Sequence, residues 1–156
     1  MYKRILVAVD GSDTSSLAMQ EAIKLTKENQ ATLRIVYVLD ALIVNWEGLA
    51  INYEKYITSI KDYGQSILNK MEVLAREAGI HVETRLIEIA DHSSRIPEEI
   101  IKETIDWHAD LLVIGTHGRH GFSRLLLGSV AEGVIHLATI PVLLIRGKDS
   151  DKNNMG

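Results

Sequence analysis

The sequence predicts one α/β domain built on an open, doubly wound parallel sheet with helices on both faces. Three observations predict it. Apolar runs at residues 5–9, 33–39, 111–115 and 141–145 are nearly continuous, as strands buried on both faces require. Between them lie longer stretches whose apolar residues recur every three or four positions, the period of helices lying on a sheet. No internal repeat or linker divides the 156 residues, so residues 1–147 read as a single domain and the polar end, 148–156, as a disordered tail.

The first strand, Ile5-Leu-Val-Ala-Val9, ends in Asp10-Gly11-Ser12. Ser12 or Asp13 caps the next helix, whose inner face carries Leu17, Ala18, Ala22 and Leu25. The second strand, 33–39, closes at Asp40. Residues 41–52 show no clear period, yet Leu42, Ile43, Val44, Trp46 and Leu49 make them too apolar for an ordinary loop. They are expected to act as a mobile cover near the cleft or as partner surface, with simple packing on the sheet end as the alternative. The long helix that follows carries Ile57, Ile60, Gly64, Ile67, Met71, Leu74 and Ala78 on one face, with Gly79 placed as its C-terminal cap.

Residues 81–90 alternate loosely through Val82, Thr84 and Leu86 and form the third strand. Pro97-Glu98-Glu99 suits a first helical turn, where proline is tolerated and carboxylates meet the positive end. Ile101, Thr104, Ile105 and His108 give that helix its inner stripe. Residues 111–115 are the fourth strand, Val130, Val134, Leu137 and Ala138 stripe the fourth helix, and 141–145 close the sheet. Pattern gives this succession but not the order of strands in the sheet.

Composition excludes several classes. With 46% hydrophobic residues and a mean hydropathy of +0.05, the chain can bury a sizeable core. The absence of cysteine removes disulfides and thiolate metal sites and suits a reducing cytoplasm. No segment reaches the roughly 18 apolar residues of a membrane span. A net charge of −4 opposes nucleic acid as a partner. A polyanionic ligand would therefore need local dipoles, a few cations or a metal.

The chemistry concentrates at Gly115-Thr-His-Gly118-Arg-His-Gly-Phe-Ser-Arg-Leu-Leu-Leu-Gly128-Ser129. Two glycines lie at a strand's C-terminal end and a Gly-Ser pair opens a helix, the layout of an anion site. A Walker A loop needs Gly-Lys-Ser/Thr, and a dinucleotide fingerprint needs three spaced glycines after the first strand; neither is present. Ser129-x-x-Glu132 also reads as a capping box that needs no ligand. Asp10 could serve only as a helix-flanking cap. Arg119 and Arg124 can pair with phosphates or stand solvated. His117 and His120 lie on loop, where a helical metal pair is not formed. A histidine on a glycine-rich loop is also expected to be a poorly fixed base.

The pattern G-x-x-G, nine residues, then G-S at the end of a fourth strand resembles the ATP-binding signature of the universal stress protein family. The resemblance covers nearly the whole chain, from Ile5-Leu-Val-Ala-Val-Asp10-Gly-Ser through 109–118 and Gly128-Ser129-Val130-Ala131 to Pro141-Val-Leu-Leu-Ile. It implies a Rossmann-like sheet of order 3-2-1-4-5, with a ligand crevice between the ends of strands one and four. By family match, Ala8 and Val38 line an adenine pocket, with Ile114 in the same cofactor-binding set. Asp10 reaches the ribose or a phosphate-bound Mg²⁺. Gly115, His117, Gly118, Gly128, Ser129 and Val130 hold ribose and phosphates, and Arg119 stands in the same cofactor-binding set. Ala131 departs from the pattern, standing where binding members often carry a hydroxyl, and Ala8 stands where some have proline.

The resemblance further implies a cytoplasmic, ATP-binding regulatory protein of the stress response, homodimeric through strand 141–145 and not an enzyme. An adenylating ATP pyrophosphatase would carry S-G-G-x-D-S, whose paired glycines Val9-Asp-Gly-Ser-Asp-Thr14 lacks. A slow ATPase and a nucleotide-free interaction module remain as alternatives.

Overall fold

The computed structural model describes residues 1–41, 53–89, 91–117 and 127–147. The cover segment at 42–52, the end of the third strand at Ala90, the loop residues Gly118, Arg119, His120 and Arg124, and the tail 148–156 lie outside the described residues.

The chain runs β1 (Arg4–Ala8), α1 (Asp13–Asn29), β2 (Thr32–Asp40), α2 (Tyr53–Glu77), β3 (His81–Ile89), α3 (Ile96–Asp106), β4 (Leu111–Gly115), α4 (Ser129–Leu137) and β5 (Val142–Ile145). All pairings are parallel and the strand order is β3-β2-β1-β4-β5. Period-2 alternation splits each central strand between two cores. Ile5, Val7, Ile35, Tyr37 and Val113 pack against Ala18, Met19 and Ala22 of α1 and Leu68, Met71 and Ala75 of α2. Leu6, Ala8, Val36, Leu112 and Ile114 pack on the other face with Ile100 and Ile101 of α3 and Val134 of α4. Helices therefore cover both faces, two on each.

Local chemistry explains the boundaries. The Ser12 side chain caps α1 by accepting from the Ser15 N–H at 3.1 Å. The end of α2 is a Schellman motif: Gly79, at φ +76°, donates its N–H to Arg76 O, and Ile80 N–H reaches Ala75 O. At α4 the expected capping box is absent. Gly128 is the N-cap, without a side-chain cap bond, and Ser129 is already the first helical residue. Glu132 thus falls one position too late to reach back to the cap.

Three inner faces are rotated from the expected ones. In α2, Leu68 and Ala75 are buried while Leu74 is exposed and Ala78 lies past the helix end. In α4, Ala131 is buried and Leu137 is exposed. In α3, Ile105 is 56% exposed, and His108 lies beyond the helix at φ +59°. The third rotation has a clear cause, because α3 turns a carboxylate inward. Glu103, whose side chain is 5% exposed, accepts from Arg34 of β2 at 2.6 Å and meets Arg85 of β3 at 3.2 Å. Arg34 also pairs with Glu83 and stacks 4.7 Å from the Trp107 ring centroid. This charged clamp ties α3 to the sheet.

Candidate nucleotide crevice at the strand ends

Strands β1 and β4 pair through Ile5↔Leu111, Leu6↔Leu112 and Val7↔Val113, and there the ladder between them stops. Beyond that point each strand bonds outward. Ala8 pairs with Val36 and Val9 N–H donates to Val36 O at 2.9 Å, while Gly115 pairs with Ile145 and Thr116 N–H donates to Ile145 O at 2.8 Å. The parting of two neighbouring parallel strands, one leading left across the sheet and the other right, opens the crevice characteristic of a topological switch point.

The apolar candidates come together on the α3/α4 face. Ala8 and Ile114 belong to that core at 8% and 6% exposure, and Val38 and Val130, both half-buried, pack against it. Ala8 and Ile114 are thus part of the core, while Val38 and Val130 keep some exposed surface.

Asp10 follows the end of β1, half-buried, and its Oδ1 accepts from Ser12 N–H at 2.9 Å across Gly11, which adopts φ +85°. The carboxylate thus shapes the strand-to-helix turn and leads into the capped first turn of α1.

The loop between β4 and α4 is pinned at both described ends, because Gly128 N–H donates to Thr116 O at 2.7 Å. Glu132 N–H to Gly128 O, at 2.9 Å, is the first intrahelical bond of α4. The amides of Ser129, Val130 and Ala131 precede that bond and have no intrahelical acceptor, so they carry the positive end of the helix dipole. Ser129 is exposed there, while Ala131 is buried beneath the helix, so its missing hydroxyl would have pointed into the core.

Two glycines change meaning. A Cβ on Gly115 would lie 2.7 Å from Thr14 Cγ2 and 3.3 Å from the Thr14 carbonyl carbon, so the first turn of α1 already requires glycine there. Gly128 sits at φ −61°, ψ 157°, a conformation open to any residue, so positive φ is not its reason for being glycine. His117 is also better held than its loop position suggested: its Nδ1 lies 3.0 Å from Thr116 Oγ1. Gly118 and Arg119 fall outside the described residues.

Two residues at this end were missed. Thr116, 5% exposed, anchors the loop, and its place directly after the β4 run was the available signal. Asp40, half-buried, ends β2 two residues beyond Val38 and in the same alternation, a position readable from the strand pattern. Among the described residues no group of three or more His, Asp or Glu could hold a metal ion, and no helix is long and apolar enough to cross a membrane.

Known proteins share this architecture. The model of the universal stress protein family matches residues 1–146. Universal stress protein MJ0531 of Methanocaldococcus jannaschii is 37% identical over 149 residues, which span 94% of this chain and 83% of the relative. The solved structure of hypothetical protein MJ0577 superposes with a TM-score of 0.81 at 23% identity, covering 96% of this chain and 99% of that one, a likeness of fold. A universal stress protein solved in complex with cAMP superposes with a TM-score of 0.66 at 25% identity, covering 92% of this chain and 97% of its own. With its sheet order, strand-end crevice and near full-length match, this chain belongs to the universal stress protein family.

Proposed function

We propose that this protein is a regulatory adenine-nucleotide-binding protein that holds ATP in the β1/β4 crevice and hydrolyses it slowly or not at all. The observation that carries the reading is the parting of β1 from β4 next to a helix N-terminus that no side chain caps. An anion of several charges meets unpaired amides there, at the positive end of α4. That a family member of the same fold is solved with cAMP supports an adenine nucleotide as the ligand class.

In this reading, Val38 and the backbone at Ala8 and Ile114 receive the adenine. Asp10 addresses the ribose or a divalent cation. The amides after Gly128, with Ser129, Val130, Gly115, His117, Gly118 and Arg119, receive ribose and phosphates. One carboxylate fits Mg²⁺ bound through nucleotide phosphates, since that ion keeps several waters and takes few protein ligands. When bound, the ion would neutralise phosphate charge in a chain whose net charge is −4.

The groups present support holding without turnover. Phosphoryl transfer requires an oriented nucleophile and cations on the developing charge. The sequence has no Walker lysine at the loop. His117 is held by Thr116 through Nδ1, so in this reading turnover is limited by the missing lysine and not by a mobile histidine. A change of occupancy, and not chemistry, would then be the signal. The homodimer belongs to the same proposal: β5 is an edge strand of four apolar, half-buried residues, and pairing with its copy about a two-fold axis would satisfy its open backbone groups.

Calorimetric titration with ATP and Mg²⁺ tests the site, using the wild type, Asp10→Ala and Gly118→Val. The proposal expects binding by the wild type and at least about tenfold weaker binding by Gly118→Val, the loss of more than about 1.4 kcal/mol. Equal affinity in all three proteins would remove the site assignment.

A further inference from the structure

We propose that Thr116 is a positioning residue of this site, acting through the imidazole of His117. The inference rests on the nucleotide-binding reading and deepens it. Thr116 is 5% exposed, and its three polar groups go to three places. Its N–H donates to Ile145 O at 2.8 Å, its carbonyl accepts from Gly128 N–H at 2.7 Å, and its Oγ1 lies 3.0 Å from His117 Nδ1. The first two contacts are backbone contacts that almost any residue could make. Only the third uses the side chain, so the hydroxyl at this position acts on the histidine ring.

A hydroxyl can donate to Nδ1 of a neutral imidazole and accept from an imidazolium. The contact therefore fixes the direction of the ring in either charge state without selecting one. With Nδ1 engaged, Nε2 is the ring nitrogen turned away from Thr116, and a phosphate or ribose contact by His117 would be made through it. Fixing a rotamer before the ligand arrives lowers the ordering cost of binding. The same backbone that carries the hydroxyl clips the loop to α4 and β5, so the ring is referenced to the amides that would meet the phosphates. The plainer role, a buried hydroxyl satisfied by its nearest partner, would affect stability alone.

A double-mutant cycle on ATP affinity separates the two roles. Thr116→Val keeps the β-branched shape and removes the hydroxyl, and Thr116→Ala provides a second route should the valine variant fail to fold. Either is combined with His117→Ala, and Thr116→Ser serves as the rescue. The expected result is binding weakened about three- to tenfold by loss of the hydroxyl, restored by serine, and no further weakening when His117 is already alanine. Thermal unfolding of each variant is followed in parallel. Unchanged affinity without the hydroxyl, or the same loss with and without His117, would overturn the inference while leaving the nucleotide reading intact. A wild type that binds no ATP would overturn both.

Discussion

Gly115 offers a sharp separation of packing from ligand binding. A methyl group there would sit 2.7 Å from Thr14 Cγ2, closer than real Cβ contacts, and 3.3 Å from the Thr14 carbonyl carbon. Thr14 is β-branched with few helical rotamers, and its Cβ and carbonyl carbon both lie 3.3 Å from the added methyl, so either Thr14 changes rotamer or α1 shifts. Overpacking of this kind costs about 1–3 kcal/mol. Gly115 is not at positive φ, so alanine also restricts the unfolded chain and returns about 0.4–1 kcal/mol. The net expectation for Gly115→Ala is a loss of about 1–2 kcal/mol, or roughly 2–8 °C in Tm for a chain of this size. Thr14→Ser deletes the offending Cγ2, so adding it to Gly115→Ala should recover part of the loss while changing little alone. Urea unfolding of the four proteins measures this. A Gly115→Ala midpoint equal to wild type, or no recovery in the double variant, would refute the packing explanation.

Glu103→Ala should cost about 1–3 kcal/mol in urea unfolding, because it removes the buried carboxylate 2.6 Å from Arg34 while Arg34 keeps its pairing with Glu83. Gly128→Val should weaken ATP binding at least tenfold with a near-native far-UV spectrum; its φ of −61° accommodates valine, so the loss would report obstruction of the ligand. Light scattering at micromolar concentration should give the mass of a homodimer, and a strictly monomeric mass would refute pairing through β5. Trp46 fluorescence in a Trp107→Phe background should respond to ATP if residues 41–52 cover the cleft, and indifference would remove that role.

The central strands were legible because burial on both faces leaves a near-continuous apolar signature, as in residues 5–9 and 111–115. Strand order was not, since nothing in hydrophobic periodicity encodes which strands pair; it came from the resemblance, and the structure has the same order. The phase of α3 was misjudged because Glu103 goes inside. Its burial depends on Arg34 and Arg85, which lie far away in sequence, so a polarity pattern places it at the surface. The capping box at Ser129 matched its pattern, yet the helix begins one residue earlier than that pattern demands, with Gly128 as the N-cap. Ala8, Val38, Ile114 and Val130 were all named from the sequence and pack on one face of the sheet, whereas Thr116 was overlooked because its hydroxyl contacts its neighbour and lies within no recognised motif.

The central claim is that the protein retains a nucleotide it does not consume. The most direct measurement is to incubate the protein with ATP and Mg²⁺, remove free ligand, and denature aliquots over time for quantification by mass spectrometry. The account predicts close to one adenine nucleotide per chain, still mainly ATP after many minutes, with turnover far below ~1 s⁻¹. No retained adenine compound, or steady-state hydrolysis above about 1 s⁻¹ that Asp10→Ala or His117→Ala abolishes, would contradict it.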